Sequence, residues 1–122
     1  MIQVPLFKPQ TEWLPPENFP DLSGYDEIAI DLETKDPDLI KMGSGSVTGK
    51  GDVSGIAVAV KGWCAYYPIA HEGGGNMDRK KVLKWFQGVL DTPADKIFHN
   101  AMYDVCWIQA LGLSVSGKIV DT

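Results

Sequence analysis

Residues 28–34, Ile-Ala-Ile-Asp-Leu-Glu-Thr, set two carboxylates into an otherwise apolar strand. Successive strand side chains point to opposite faces, so Ile28, Ile30 and Leu32 share one face and Ala29, Asp31 and Glu33 the other. The first is a core face. The second puts two acids side by side behind the small side chain of Ala29. Neighbouring ionised carboxylates repel, and burying them is costly unless a cation compensates. A hard divalent cation meets that need, which makes Asp31 and Glu33 candidate metal ligands. The plainer alternative is a solvated strand face, common in antiparallel sheets, and Asp-x-Glu alone is a weak motif.

The chain has 122 residues, enough for one domain with a core but not for two. Its net charge of −5 argues against a broad basic surface gripping duplex nucleic acid. Cys64 and Cys106 form neither a Cys-x-x-Cys pair nor a disulfide framework and suit a reducing compartment. No signal peptide pattern and no apolar run of membrane-spanning length stands in the sequence, so a cytoplasmic location is expected, with no membrane partner.

Residues 1–24 read as a proline-rich arm, with Pro5, Pro9, Pro15, Pro16 and Pro20 excluding helix or central strand. Phe7, Trp13, Leu14 and Phe19 suggest that it packs on a body. A first strand runs over 25–34. Residues 35–55 are a loop dense in Gly, Ser and Asp. A phosphate-loop reading fails there: Ser44 and Gly51 occupy the places where G-x-x-x-x-G-K-[ST] demands Gly and Ser or Thr. A flexible surface loop is expected instead, long enough to rim a site. Strands over 55–60 and 63–69, joined at Lys61-Gly62, predict an antiparallel hairpin, with Pro68 marking a strand end or edge.

Val82, Leu83, Phe86, Val89 and Leu90 make one apolar stripe and predict a helix over 78–90, capped by Asp78. A short strand over 96–99 leads into a second helix from Ala101, stopped at Gly112. Lys118 to Val120 begins a further strand. The order is that of an α/β domain, a mixed sheet with helices against it. The last strand has no helix to cover it, and a fragment of a longer protein is expected.

Asn100 and Asp104 are a second constellation, four residues apart on one helix face. Capping alone accounts for Asn100, and the helix dipole suits Asp104. If the 96–99 strand lies beside the first, Asp104 can also join Asp31 and Glu33 at one metal. His71 and His99 lack partners at zinc-ligand spacing and read as hydrogen-bonded or rim residues. Trp63, Tyr66, Tyr67 and Trp107 read as core or interface. No Ser or Cys has a neighbouring base that would make it a nucleophile.

From Tyr25 to the end the chain resembles the 3′→5′ proofreading exonuclease domain of family A DNA polymerases, the phage type in particular. Five stretches carry the resemblance: 28–34, 55–59, Ala-Tyr-Tyr-Pro-Ile-Ala-His at 65–71, Phe-His-Asn-Ala-Met-Tyr-Asp at 98–104, and Lys-Ile-Val-Asp-Thr at 118–122. It implies a ribonuclease H-like mixed sheet with flanking helices, cut after the fourth or fifth strand. Residues 25–122 would be a partial exonuclease domain. The family's carboxylates hold two Mg²⁺ or Mn²⁺ ions. By resemblance Asp31, Glu33 and Asp104 are catalytic metal ligands, Asp31 touching both ions and Glu33 one. Thr34, His99 and Asn100 would meet the substrate. The family's third motif, Tyr-x-x-x-Asp, is absent, and Asp121 does not replace it. The implied partners are a single-stranded DNA 3′ end and a polymerase domain in the same full-length chain. The alternatives are a stand-alone exonuclease acting on RNA and an inactive DNA-binding or interaction domain.

Overall fold

The computed structural model describes residue 16 and residues 18–122. Strands β1 (Glu27–Lys35), β2 (Asp52–Val60), β3 (Trp63–Pro68), β4 (Asp95–Phe98) and β5 (Ile119–Asp121) form one sheet in the order β3-β2-β1-β4-β5. β1, β2 and β3 pair antiparallel, while β4 runs parallel to both β1 and β5. The sheet is therefore mixed and the domain α/β, as the element order predicts. Lys61-Gly62 closes the β2–β3 hairpin. Gly62 has φ +86, a left-handed backbone that costs a glycine nothing. Pro68 ends β3 at the sheet edge, where no ladder bond needs its missing N–H.

Parallel strands need a crossover, and helix α4 (Ala101–Ala110) supplies it between β4 and β5. Helix α3 (Arg79–Leu90) precedes β4. Its stripe of Val82, Phe86, Val89 and Leu90 packs with Ile28, Ile30, Leu32, Ile56, Val58, Tyr67 and Phe98 of the sheet, and with Trp107 and Ile108 of α4, in one core cluster. Each such side chain contributes about 1.5–3 kcal/mol by leaving water. The Asp78 carboxylate caps α3 by accepting the N–H groups of Lys80 and Lys81 at 3.0 and 3.3 Å. Asp78→Ala is expected to cost about 1 kcal/mol, read as a lower urea midpoint with unchanged slope.

The 35–55 loop departs from expectation. β2 begins at Asp52, and two single-turn helices, α1 (Leu39–Met42) and α2 (Gly45–Thr48), occupy the loop. The Asp36 carboxylate orders it by accepting the Gly45 N–H at 3.0 and 3.1 Å, and Ser44 caps α2 through the Ser46 N–H at 3.3 Å. One turn is too short to show a helical period in sequence. Most of the 1–24 arm, with Phe7, Trp13 and Leu14, lies outside the described residues. Its end is tied down: Phe19 stacks on Tyr67 at 5.5 Å between centroids, Tyr67 donates to the Asn18 carbonyl at 3.0 Å, and Trp85 donates to the Pro20 carbonyl at 2.8 Å.

Candidate active site

β4 is short and pairs with β1 only over Glu27 to Ala29. Beyond Ala29 that side of β1 has no strand beside it among the described residues. The chain turns at His99 and Asn100 into α4, whose first turn carries Asp104. The Asp104 carboxylate closes the gap by accepting the Leu32 backbone N–H. It thereby reaches the strand midway between Asp31 and Glu33. Asp104 is only 4% exposed. Burial first, and the Asp31 charge second, push its carboxyl up to about 6, while the Leu32 N–H and His99 pull the other way. Asp31 and Asp104, far apart in sequence, thus share a field that favours an added cation.

Glu33 lies on the same open strand face as Asp31. Its side chain is 58% exposed and stands 3.8 Å from His71 Nε2. A register shift between Glu33 and Thr34 leaves Ser54 of β2 out of the ladder, with Glu33 opposite Gly55 and Thr34 opposite Val53. The freed Ser54 hydroxyl donates to the Glu33 carbonyl at 3.1 Å. Thr34 Oγ1 is hydrogen-bonded to the Tyr103 hydroxyl at 2.9 Å, and that hydroxyl donates to Asp36 at 2.7 Å. α4 is thereby pinned to the end of β1 one residue before Asp104.

Asn100 stands at the N-cap position, but its side chain makes no capping bond. This corrects the capping account of Asn100. Asp121, from the end of β5, accepts the Ala101 N–H at 3.3 Å instead. Asn100 and His99 are both exposed. Asp31 and His99 line one open trough of about 550 Å³ on the sheet face, with Ala29, Ala57, Ala59 and Tyr66 among its walls. In the sequence Tyr66 reads as core or interface and His71 as a hydrogen-bonded or rim residue. Their proximity to Glu33 follows from the β2–β3 register, which no local pattern announces.

Among the described residues no three His, Cys, Asp or Glu side chains are already gathered into a metal cage. The chemistry of the acids still fits a hard cation. All candidate donors are carboxylate oxygens, and the buried Asp104 carries a like-charged neighbour with, among the described residues, no Lys or Arg hydrogen-bonded to it.

A mixed five-stranded sheet with helices on its core face and acids along β1 defines a ribonuclease H-like α/β domain. No protein-family model matches the chain. It is similar to a DNA-directed DNA polymerase of Pseudomonas phage M6, with 34% identity over 118 residues. The match takes in 92% of this chain and 18% of that polymerase, so the chain spans under a fifth of its relative's length. Among the described residues no helix is long and apolar enough to cross a membrane.

Proposed function

We propose that the chain is part of the 3′→5′ exonuclease unit of a DNA polymerase, trimming the terminal nucleotide from a single-stranded DNA 3′ end. The observation that carries this reading is the meeting of Asp31 and Asp104 at the β1 edge, with Asp104 buried on the Leu32 amide. Similarity to a phage DNA polymerase supports the association with replication. Asp31, Asp104 and Glu33 would hold Mg²⁺ or Mn²⁺. When bound, the ions supply an activated water and stabilise the leaving 3′ oxygen.

The chain's own residues do the rest. Asp31 and Asp104 present their oxygens from two rigid elements. His99 and Asn100, exposed at the strand-to-helix junction, meet the terminal nucleotide. Thr34 serves through the strand end that it ties to Tyr103. The open trough admits an unpaired strand without a basic surface, in keeping with a net charge of −5.

The test takes this chain and a form extended through the following open reading frame. With Mg²⁺ or Mn²⁺ the extended form should shorten 5′-labelled single-stranded DNA one nucleotide at a time, and this chain alone should do so weakly or not at all. Asp31→Asn should abolish the ladder while leaving the circular dichroism spectrum unchanged. A folded extended form that is inert with both metals, or an Asp31→Asn variant as active as its parent, refutes the reading.

A further inference from the structure

Three features converge on the Glu33 carboxylate from the β3 side. The first is Tyr66, on β3, which lies in the ladder opposite Ala57, itself paired with Asp31. Its ring leans over Gly55, the residue facing Glu33. A methyl group at position 55 would overlap the phenol oxygen. Glycine there is a matter of room: any side chain would expel the ring. The second is His71, whose Nε2 lies 2.5 Å from the Tyr66 hydroxyl and 3.8 Å from Glu33 Oε1. The third is the anchoring of the segment that carries His71. The Ser54 carbonyl accepts the N–H groups of Ile69 and Ala70 at 2.9 and 3.1 Å, and the Asn76 side chain exchanges two hydrogen bonds with the His71 backbone, at 2.7 and 3.0 Å. Ser54 is the residue that the β-bulge releases from the ladder. The same irregularity therefore fixes Glu33 on one side and the His71 turn on the other.

The direction of the hydrogen bonds follows from chemistry. A carboxylate only accepts, so the Tyr66 hydroxyl donates to Glu33. With that proton committed, the phenol oxygen faces His71 Nε2 and the Ser54 hydroxyl as an acceptor. A phenol keeps its proton throughout the neutral range, so the hydroxyl remains a donor there. One donor occupies part of a carboxylate's acceptor capacity and leaves oxygen lone pairs for a cation. Hydrogen-bonded carboxylates beside a metal owe their orientation to such partners.

We infer that Tyr66, backed by His71 and given room by Gly55, is a positioning residue that holds the Glu33 carboxylate in place for a divalent cation. The inference rests on the reading of Glu33 as a ligand, and its test separates the two. In the metal-free chain, side-chain NMR couplings of Glu33 should report a single rotamer. Tyr66→Phe, which keeps the ring, should average them, and Gly55→Ala, which keeps the hydroxyl but displaces it, should do the same. Mn²⁺ affinity, followed by loss of the free-ion electron paramagnetic resonance signal, should fall about tenfold in Tyr66→Phe. The same change made on Glu33→Gln should have no further effect, because the hydroxyl acts through that carboxylate. The inference is overturned if the Glu33 couplings are already averaged in the parent, if neither variant alters them, or if the Tyr66→Phe loss of Mn²⁺ affinity persists without the Glu33 carboxylate. A parent that fixes Glu33 through Tyr66 but takes up no Mn²⁺ upholds the hold and overturns the ligand reading.

Discussion

Lys96→Met is expected to lower the unfolding free energy by about 3–5 kcal/mol, enough to unfold a marginal domain. Lys96 lies on the core face of β4 and is wholly buried. Its ammonium donates to the carbonyls of Thr92, Ala94 (2.9 Å) and Ser116 (2.8 Å), which uses all three of its N–H groups. It therefore ties the end of the α3–β4 connection to the turn before β5. Burial pushes its pKa down, against the pull of Asp91 and Asp95. Methionine fills much the same volume but leaves three carbonyls with no donor, each costing about 1–3 kcal/mol when buried. Urea unfolding followed by tryptophan fluorescence measures the loss. A change below about 1 kcal/mol would mean that water takes over the carbonyls and that the clamp is dispensable.

The second large effect has the opposite sign. Asp104→Asn should make the metal-free chain more stable at pH 7, by up to about 3 kcal/mol from a rise of about two pKa units. The Asp104 carboxyl titrates near 6 in the fold, against 3.8 ordinarily. Between those values the native state holds more protons than the unfolded one, so this group's contribution falls as pH rises through the window. Above pH 6 the penalty is complete, and below pH 3.8 it is absent. Asparagine keeps an oxygen for the Leu32 N–H but carries no charge beside Asp31. The stability difference between variant and parent should therefore be full at pH 7 and vanish near pH 3.5. A difference independent of pH would show that the charge of Asp104 is not the source. In the proposed function the same substitution removes a ligand, so added Mn²⁺ should stabilise the parent and not the variant.

These two residues mark where sequence inspection reached and where it stopped. Asp31 and Glu33 on one strand face, and α3 within a residue of its predicted start, are legible because side-chain periods of two and 3.6 are written into local sequence. The hairpin is legible at Lys61-Gly62 because a two-residue link leaves the chain few turns to choose from. Lys96 is not legible. Nothing near it in sequence says that carbonyls from 92, 94 and 116 converge on one point, and a strand lysine ordinarily faces water. Asn100 looks like a cap, and only tertiary structure brings Asp121 to do that work. Tyr66, His71 and Glu33 meet because a bulge at Ser54 shifts the register by one residue, and single-residue slips lie beyond pattern reasoning.

The brevity of β4 has a consequence for β1. Where the neighbouring strand ends, a helix side chain takes over its duty, and the Leu32 amide is sealed by a titratable oxygen in place of a peptide carbonyl. In the proposed function a cation held by Asp104 would share that carboxylate with the Leu32 N–H, so metal uptake should register as a shift of the Leu32 backbone proton.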